Sequence, residues 1–249
     1  MCTLVVAHRA WSGLPFLVAA NRDEQLERES APPRLWADRP VPLFAPVDRA
    51  GGGTWLGLNV HGLFVGITNR FGTAPPKKGR RSRGLLVLDA LEEADARSAA
   101  KRVAAHGPKV HNRFHLLAVD RKGTYLIVND GEQVREIQLA TGLHVLTERS
   151  QVEGGLQTER EKLITARMKT HLESEVPTEQ GLAGLLSIHA EDPFDGTCVH
   201  APAYTYGTRS STLVWFYKDS VRFLHAEGPP CETPYKDYSA QAASMLALL

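Results

Sequence analysis

Cysteine is scarce in this chain: three residues in 249, at positions 2, 198 and 231. They are too few and too scattered for the disulfide framework of a small secreted domain. Charge of one sign is also lacking, with 29 Lys and Arg against 28 Asp and Glu and a formal net charge of +1. No global field therefore draws nucleic acid or an anionic membrane to the protein. No apolar run approaches the roughly 20 residues that a membrane-spanning helix needs. The apolar start is short and is broken by His8 and Arg9, so no signal peptide is expected. Internal repeats, low-complexity stretches and dividing linkers are missing too. These absences favour a soluble protein of a reducing, cytoplasmic compartment. With 43% hydrophobic residues the chain can bury a sizeable core, and a single domain over residues 1–249 is the simplest reading.

What is present reads as strands in runs and helices in runs. Thr3–Ala7 and Pro15–Ala20 are apolar, strand-like runs that end in polar residues. Residues 29–50 hold Pro32, Pro33, Pro40, Pro42 and Pro46 and show little periodicity, which predicts an irregular loop. Gly53–Leu58 and Leu63–Thr68, joined at Asn59-Val-His-Gly62, predict a hairpin. A basic loop at 71–83 precedes one helical region from Ser82 to about His106, capped by Ser82 and stopped by Gly107-Pro108. Strands are expected at Phe114–Val119, Tyr125–Asn129 and Val134–Leu139, with a fourth at Leu143–Thr147. Helices are expected at Thr158–Ser174 and from Thr178 to Ile188. A hairpin at Thr212–Tyr217 and Val221–Ala226 and a terminal helix at Tyr238–Leu249 complete the pattern. That order predicts an α+β arrangement of antiparallel sheets with helices outside.

Several residues could carry chemistry. Cys2 directly follows the initiator methionine. Removing Met1 would leave a residue holding both a thiol and an α-amine of reference pKa about 8. The amine can then serve as general base for its own thiol. Taken alone, position 2 reads far more readily as a tolerated small apolar residue. Asn21-Arg22-Asp23-Glu24 clusters four polar groups at the end of a buried strand. Arg22 beside a thiol would lower its pKa, and Asp23 could hold an ammonium or orient a guanidinium. The plain alternative is a polar turn with ion pairs of its own. Asn69 ends a strand, where its amide can donate to an oxyanion. Arg209 precedes a strong strand and could anchor a carboxylate or form a structural ion pair. Lys77–Arg83 reads as a solvated basic loop. His111 and His115 lack a matching Cys or carboxylate cluster, so no metal is expected there. Gly51-Gly-Gly-Thr-Trp55 lacks the phosphate-loop pattern. Cys198 and Cys231 lack the surrounding motif of a papain-like protease.

Taken together and in order, Met1-Cys2, Ala19–Glu24, Gly52-Gly-Thr-Trp-Leu-Gly57, Thr68-Asn69, Ser82-Arg-Gly84, His111–Leu116 and Tyr206-Gly-Thr-Arg-Ser-Ser211 resemble the NRDE family. Its eukaryotic members are called transport and Golgi organisation 2 proteins. The resemblance implies the fold of N-terminal nucleophile hydrolases: a four-layer αββα sandwich of two antiparallel sheets flanked by helices. Its nearest analogues there are cysteine amidases acting on penicillin V and conjugated bile salts. It implies Cys2 as nucleophile after Met1 removal, Arg22 and Asp23 as the pair that orients it, Asn69 in the oxyanion hole, and Arg209 near the last strand pair. Asn21 and Glu148 are the expected substrate-binding residues. One position departs: amidases carry an Asn where this chain has Leu146-Thr-Glu148. An anionic Glu cannot donate as an amide does.

The function implied is cleavage of a non-peptide C–N amide bond in a small molecule, with no cofactor. The alternative on the same fold is a non-catalytic haem- or lipid-binding trafficking protein, which Glu148 favours, with His residues or Cys2 as iron ligands.

Overall fold

The computed structural model of the protein describes residues 2–72, 75–151 and 157–248. Met1, whose removal the resemblance implies, lies outside the described residues. So do Thr73 and Ala74 of the basic loop and Leu249 of the terminal helix.

Strands β1 (Cys2–Trp11) and β2 (Leu14–Gln25) come first, then β3 (Ser30–Trp36), β4 (Leu43–Asp48), β5 (Leu56–Asn59) and β6 (Phe64–Asn69). Helices α1 (Arg83–Ala90) and α2 (Ala96–Ala104) precede β7 (Phe114–Val119), β8 (Thr124–Asn129), β9 (Val134–Leu139) and β10 (Gly142–Leu146). Helices α3 (Glu159–Leu172) and α4 (Glu179–Leu186) lead to β11 (His200–Ala201), β12 (Tyr206–Phe216), β13 (Val221–Ala226), β14 (Lys236–Asp237) and α5 (Ser239–Leu246). The α+β order expected from the runs of strands and helices is the order found. The chain forms two compact units, residues 1–28 with 142–238 and residues 29–141 with 239–249.

The first unit holds an antiparallel sheet in the order β10-β1-β2-β12-β13-β14, with β11 added beside β12. Val5, Leu17, Ala19, Leu213 and Trp215 of this sheet pack with Ile164 and Met168 of α3 and with Leu182 and Leu185 of α4. Each such side chain contributes about 1.5–3 kcal/mol by leaving water. Side chains alternate across a strand, so Cys2, Arg22 and Ser210 lie on the opposite face of the sheet. Helix α3 starts in a capping box. The Thr158 hydroxyl accepts from the Glu161 amide at 3.2 Å, and the Glu161 carboxylate accepts from the Thr158 amide at 2.7 Å.

The second unit holds the sheet β3-β4-β5-β6-β7-β8-β9. Two expectations are corrected in it. Residues 29–50 are not an irregular loop: they form β3 and β4. Pro32 and Pro33 sit in a bulge of β3, the edge strand, where a missing N–H breaks no ladder. Pro46 lies past the last β4–β5 pair. The helical region from Ser82 to His106 is two helices, not one. Ser82 does cap α1, accepting from the Gly84 amide at 3.2 Å. The chain then breaks because buried Asn59 donates to the carbonyls of Leu91 and Glu93, at 2.9 and 2.7 Å. Asp95 restarts the helix by accepting from the Ser98 amide at 2.7 Å. Gly53 explains the Gly-Gly-Thr-Trp run: a Cβ there would stand 2.3 Å from the Gly84 carbonyl carbon at the start of α1.

Candidate active site

The Asn-Arg-Asp-Glu motif is not a turn. It continues β2 to Gln25, because β12 is long enough to pair with it throughout. Cys2, likewise, is the first residue of β1 and stands opposite Arg22. Arg22 in turn stands opposite Ser210 of β12. A row Cys2–Arg22–Ser210 therefore crosses three strands on one face. Cys2 is half-buried, and Arg22 and Ser210 are buried. Burial pushes the Cys2 thiol above its ordinary pKa, and the Asp23 charge adds to the rise. The Arg22 charge and the Asp23 backbone N–H act the other way without winning. A thiol disfavoured as thiolate in this way needs a base to become a nucleophile.

Asp23 lies on the other face, among the helices. Its carboxylate accepts from the Thr208 hydroxyl at 2.6 Å and stands 3.3 Å from the Arg160 guanidinium. The Tyr206 hydroxyl donates to the Asp23 carbonyl at 2.6 Å. Arg160, from the first turn of α3, also donates to the Thr3 hydroxyl at 3.2 Å and the Phe194 carbonyl at 2.7 Å. Asp23 and Arg160 are almost wholly buried. A buried pair of this kind persists only when further hydrogen bonds complete it, as they do here. Arg160 was not legible in the sequence, where it is one charge among several in an amphipathic run. The only signal is its place two residues after the Thr158 cap.

Asn21 is buried and braces the unit. Its amide nitrogen donates to the carbonyls of Leu186 and Thr197, at 2.9 and 2.7 Å. Its Oδ1 is buried without a hydrogen-bond partner. Arg209 occupies a bulge in β12 between Thr208 and Ser210. The Nε of Arg209 and the hydroxyl of Ser210 are also buried without a hydrogen-bond partner. Such atoms are uncommon in folded proteins.

Glu148 is buried in the turn after β10. The turn is fixed by Ser150, whose hydroxyl accepts from the Thr147 amide at 2.8 Å and donates to the Glu161 carboxylate. One Glu148 oxygen stands 3.7 Å from the Arg149 guanidinium, and the other has no hydrogen-bond partner. Burial raises the Glu148 pKa, opposed by the charge of Arg160. A neutral carboxyl carries an O–H donor, which a carboxylate lacks.

Asn69 is in the second unit. It closes β6 opposite Phe114 and is half-buried. His111 and His115 have separate neighbours there, the Arg81 carbonyl at 3.0 Å and the Thr68 hydroxyl at 3.4 Å. The basic loop is engaged structurally: Arg80 donates to the His111 carbonyl at 2.7 Å, and Arg81 pairs with Asp89. A cavity of about 470 Å³ lies beside α3 and α4, lined by Arg167, His171 and Gln180 among others, and no residue of the candidate site lines it.

Solved structures of similar fold define the class. An N-acylethanolamine-hydrolyzing acid amidase orthologue from Caenorhabditis elegans superposes with a TM-score of 0.61 at 15% identity, over 86% of this chain and 92% of its own. A mutant conjugated bile acid hydrolase from Clostridium perfringens gives 0.57 at 10% identity, over 96% of each chain. Penicillin V acylase from Agrobacterium tumefaciens gives 0.52 at 13% identity, over 96% of this chain and 86% of its own. This likeness shows the fold, an α+β arrangement of two antiparallel sheets with helices. The chain belongs to the Transport and Golgi organisation 2 family, whose model matches residues 1–227. The Bos taurus Transport and Golgi organization protein 2 homolog is 29% identical over 234 residues, 80% of each chain. The Homo sapiens homolog is 34% identical over 107 residues, 42% of this chain and 38% of its own. Among the described residues no helix is long and apolar enough to cross a membrane.

Proposed function

We propose that the chain is a cysteine N-terminal nucleophile hydrolase that cleaves a non-peptide C–N amide bond in a small molecule. The observation that carries this reading is the pairing of Cys2 at the head of β1 with Arg22 of the family motif. Removal of Met1 would give Cys2 an α-amine, and that amine is the base the protonated thiol needs. The amine takes the thiol proton as Sγ attacks the substrate carbonyl carbon. The tetrahedral oxyanion forms, the C–N bond breaks, and the same proton passes to the leaving nitrogen. An amine departs and an acyl thioester remains on Cys2. Water then adds with the amine again as base, and the thioester breaks to release a carboxylic acid and restore the thiol.

Arg22 places a positive charge beside the developing thiolate. Asp23, locked by Arg160 and Thr208, holds the end of β2 so that Arg22 keeps its position. Glu148 stands where the amidases carry an amide, and it can donate to the substrate oxygen only in its protonated form, which burial favours. Arg209 meets a polar group of the substrate through its Nε, while Asn21, on the helix-packed face, braces the end of β2 from behind. The test is a screen of acyl amides, including N-acyl amino acids, and of homoserine lactones. Cys2→Ala is expected to lower turnover of any substrate found by at least about 1,000-fold. Turnover equal to wild type would sink the reading. An unreactive Cys2 together with a Soret shift on haem titration would favour the binding protein instead.

A further inference from the structure

The first unit gathers a second set of reactive side chains that the proposed hydrolysis does not use. His189, Cys198, His200 and Cys231 each offer one nitrogen or sulfur atom, and these four atoms all lie within 4.8 Å of one another. The Cys198 sulfur is 3.5 Å from the Cys231 sulfur and 3.5 Å from His200 Nε2, and His200 Nε2 is 3.2 Å from the Cys231 sulfur. Both thiols are free. A sulfur separation of 3.5 Å is far beyond the roughly 2.05 Å of a disulfide. It does fit a tetrahedron: with metal–sulfur bonds of about 2.3 Å and metal–nitrogen bonds of about 2.0–2.1 Å, ligand atoms stand about 3.3–3.8 Å apart.

Three separate pieces of chain make the cluster. The segment before β11 is fixed by Thr197, whose hydroxyl donates to the Leu185 carbonyl at 2.7 Å and accepts from the Ile188 amide at 3.1 Å. The Cys198 amide donates to the Ile188 carbonyl at 3.0 Å. Gly196 allows this close approach: a Cβ there would stand 2.8 Å from the Ile188 carbonyl oxygen and 3.0 Å from the Ala190 nitrogen. His189 is thereby laid beside Cys198. Cys231 arrives on the loop between β13 and β14, where the amides of Glu232 and Thr233 turn back to the Pro229 carbonyl at 3.1 and 2.9 Å. Cys198 is buried while His189 and His200 are exposed, so an ion can enter from solvent.

We infer that His189, Cys198, His200 and Cys231 form a tetrahedral site for a divalent metal ion of the zinc type. Two thiolates and two imidazoles are the donor set that such an ion prefers, and they give a site of zero net charge. Cys198 and Cys231 bind as thiolates and release their two protons to solvent. With four protein ligands the site is closed, so its role is to fasten the loops after α4 and β13 to β11. The sequence hides it, because an isolated His189, a Cys-Val-His pair and a distant Cys231 match no finger spacing. It is independent of Cys2 and of the proposed amidase chemistry.

The test is titration of the full chain, reduced and stripped of metal, with zinc ion against a chromophoric chelator, and with cobalt(II) for its absorption spectrum. One equivalent of zinc is expected. Cobalt is expected to show a thiolate charge-transfer band and the visible bands of tetrahedral coordination. Cys231→Ser and His200→Ala, both changed at the surface, are each expected to weaken zinc at least about 100-fold, while Cys2→Ala leaves it unchanged. If Cys198→Ser does not fold, those two variants carry the test alone. Zinc affinity unchanged in Cys231→Ser overturns the inference, as does reduced wild type that binds no zinc. An intact mass two hydrogens light, with no zinc bound after reduction, assigns Cys198 and Cys231 to a disulfide instead.

Discussion

Arg160→Met is the substitution that probes the buried framework most sharply. The change keeps side-chain length and volume close to arginine but removes the charge and the five N–H donors. Its hydrogen bonds to Thr3, Asp23 and the Phe194 carbonyl are lost. The Asp23 carboxylate then stays buried without its cationic partner, still accepting from the Thr208 hydroxyl at 2.6 Å. Breaking a buried ion pair from one side costs about 3–5 kcal/mol, since the surviving charge is left uncompensated. Taking about 4 kcal/mol, the folding constant falls about a thousandfold. With a urea m-value of about 2–3 kcal/mol/M, the unfolding midpoint drops by about 1.5–2 M. The double variant Asp23→Asn/Arg160→Met removes both charges and is expected to recover part of that loss. Urea unfolding followed by circular dichroism measures both. A loss under about 1 kcal/mol for Arg160→Met, or a double variant weaker than the single one, refutes the reasoning.

Three further outcomes are expected. His225 is buried against the Thr212 hydroxyl at 2.9 Å, and burial, helped by the charge of Lys236, lowers its pKa to about 3. The folded chain therefore keeps it neutral where the unfolded chain, with a pKa near 6.5, binds a proton. Its stability contribution is intact above about pH 6.5 and declines as pH falls toward 3, by about 2 kcal/mol at pH 5. His225→Gln should flatten that part of the stability–pH curve, and an unaltered slope would count against it. Glu148 has a raised pKa through burial. Its burden on stability is absent below the ordinary carboxylate value and grows as pH rises through the folded value. Glu148→Gln should therefore stabilise at pH 8 and do little at pH 4, with equal effects at both refuting this. Asn69→Ala tests the oxyanion role implied by the motif order. Turnover of an identified amide should fall about 100-fold with little change in KM, and an unchanged kcat would remove Asn69 from the chemistry.

Much of the fold is visible in the sequence where local signals are strong. The apolar runs of β7 and β8, the turns between them, and the caps at Ser82, Thr158 and Thr178 all lie where pattern and capping chemistry place them. What is hidden depends on contacts between distant residues. Proline normally argues against a strand, yet an edge position and a bulge admit Pro32 and Pro33 into β3. Nothing local breaks the helix after Ala90; Asn59, some 30 residues earlier, does so. The motif residues Cys2, Arg22, Asp23 and Arg209 could be named, but their division between two faces of one sheet could not, because it follows from register with β12. Arg160 and the His189–Cys198–His200–Cys231 cluster are also products of tertiary structure, assembled from residues that look ordinary one at a time.

Whether mature Cys2 is a nucleophile is decided by intact-mass analysis of the protein with and without an acyl electrophile. A nucleophilic Cys2 gives a native mass lacking Met1 and, at neutral pH, a single rapid acyl adduct that maps to Cys2 and disappears in Cys2→Ala. A native protein that retains Met1, or a Cys2 thiol that stays unmodified under those conditions, would contradict it.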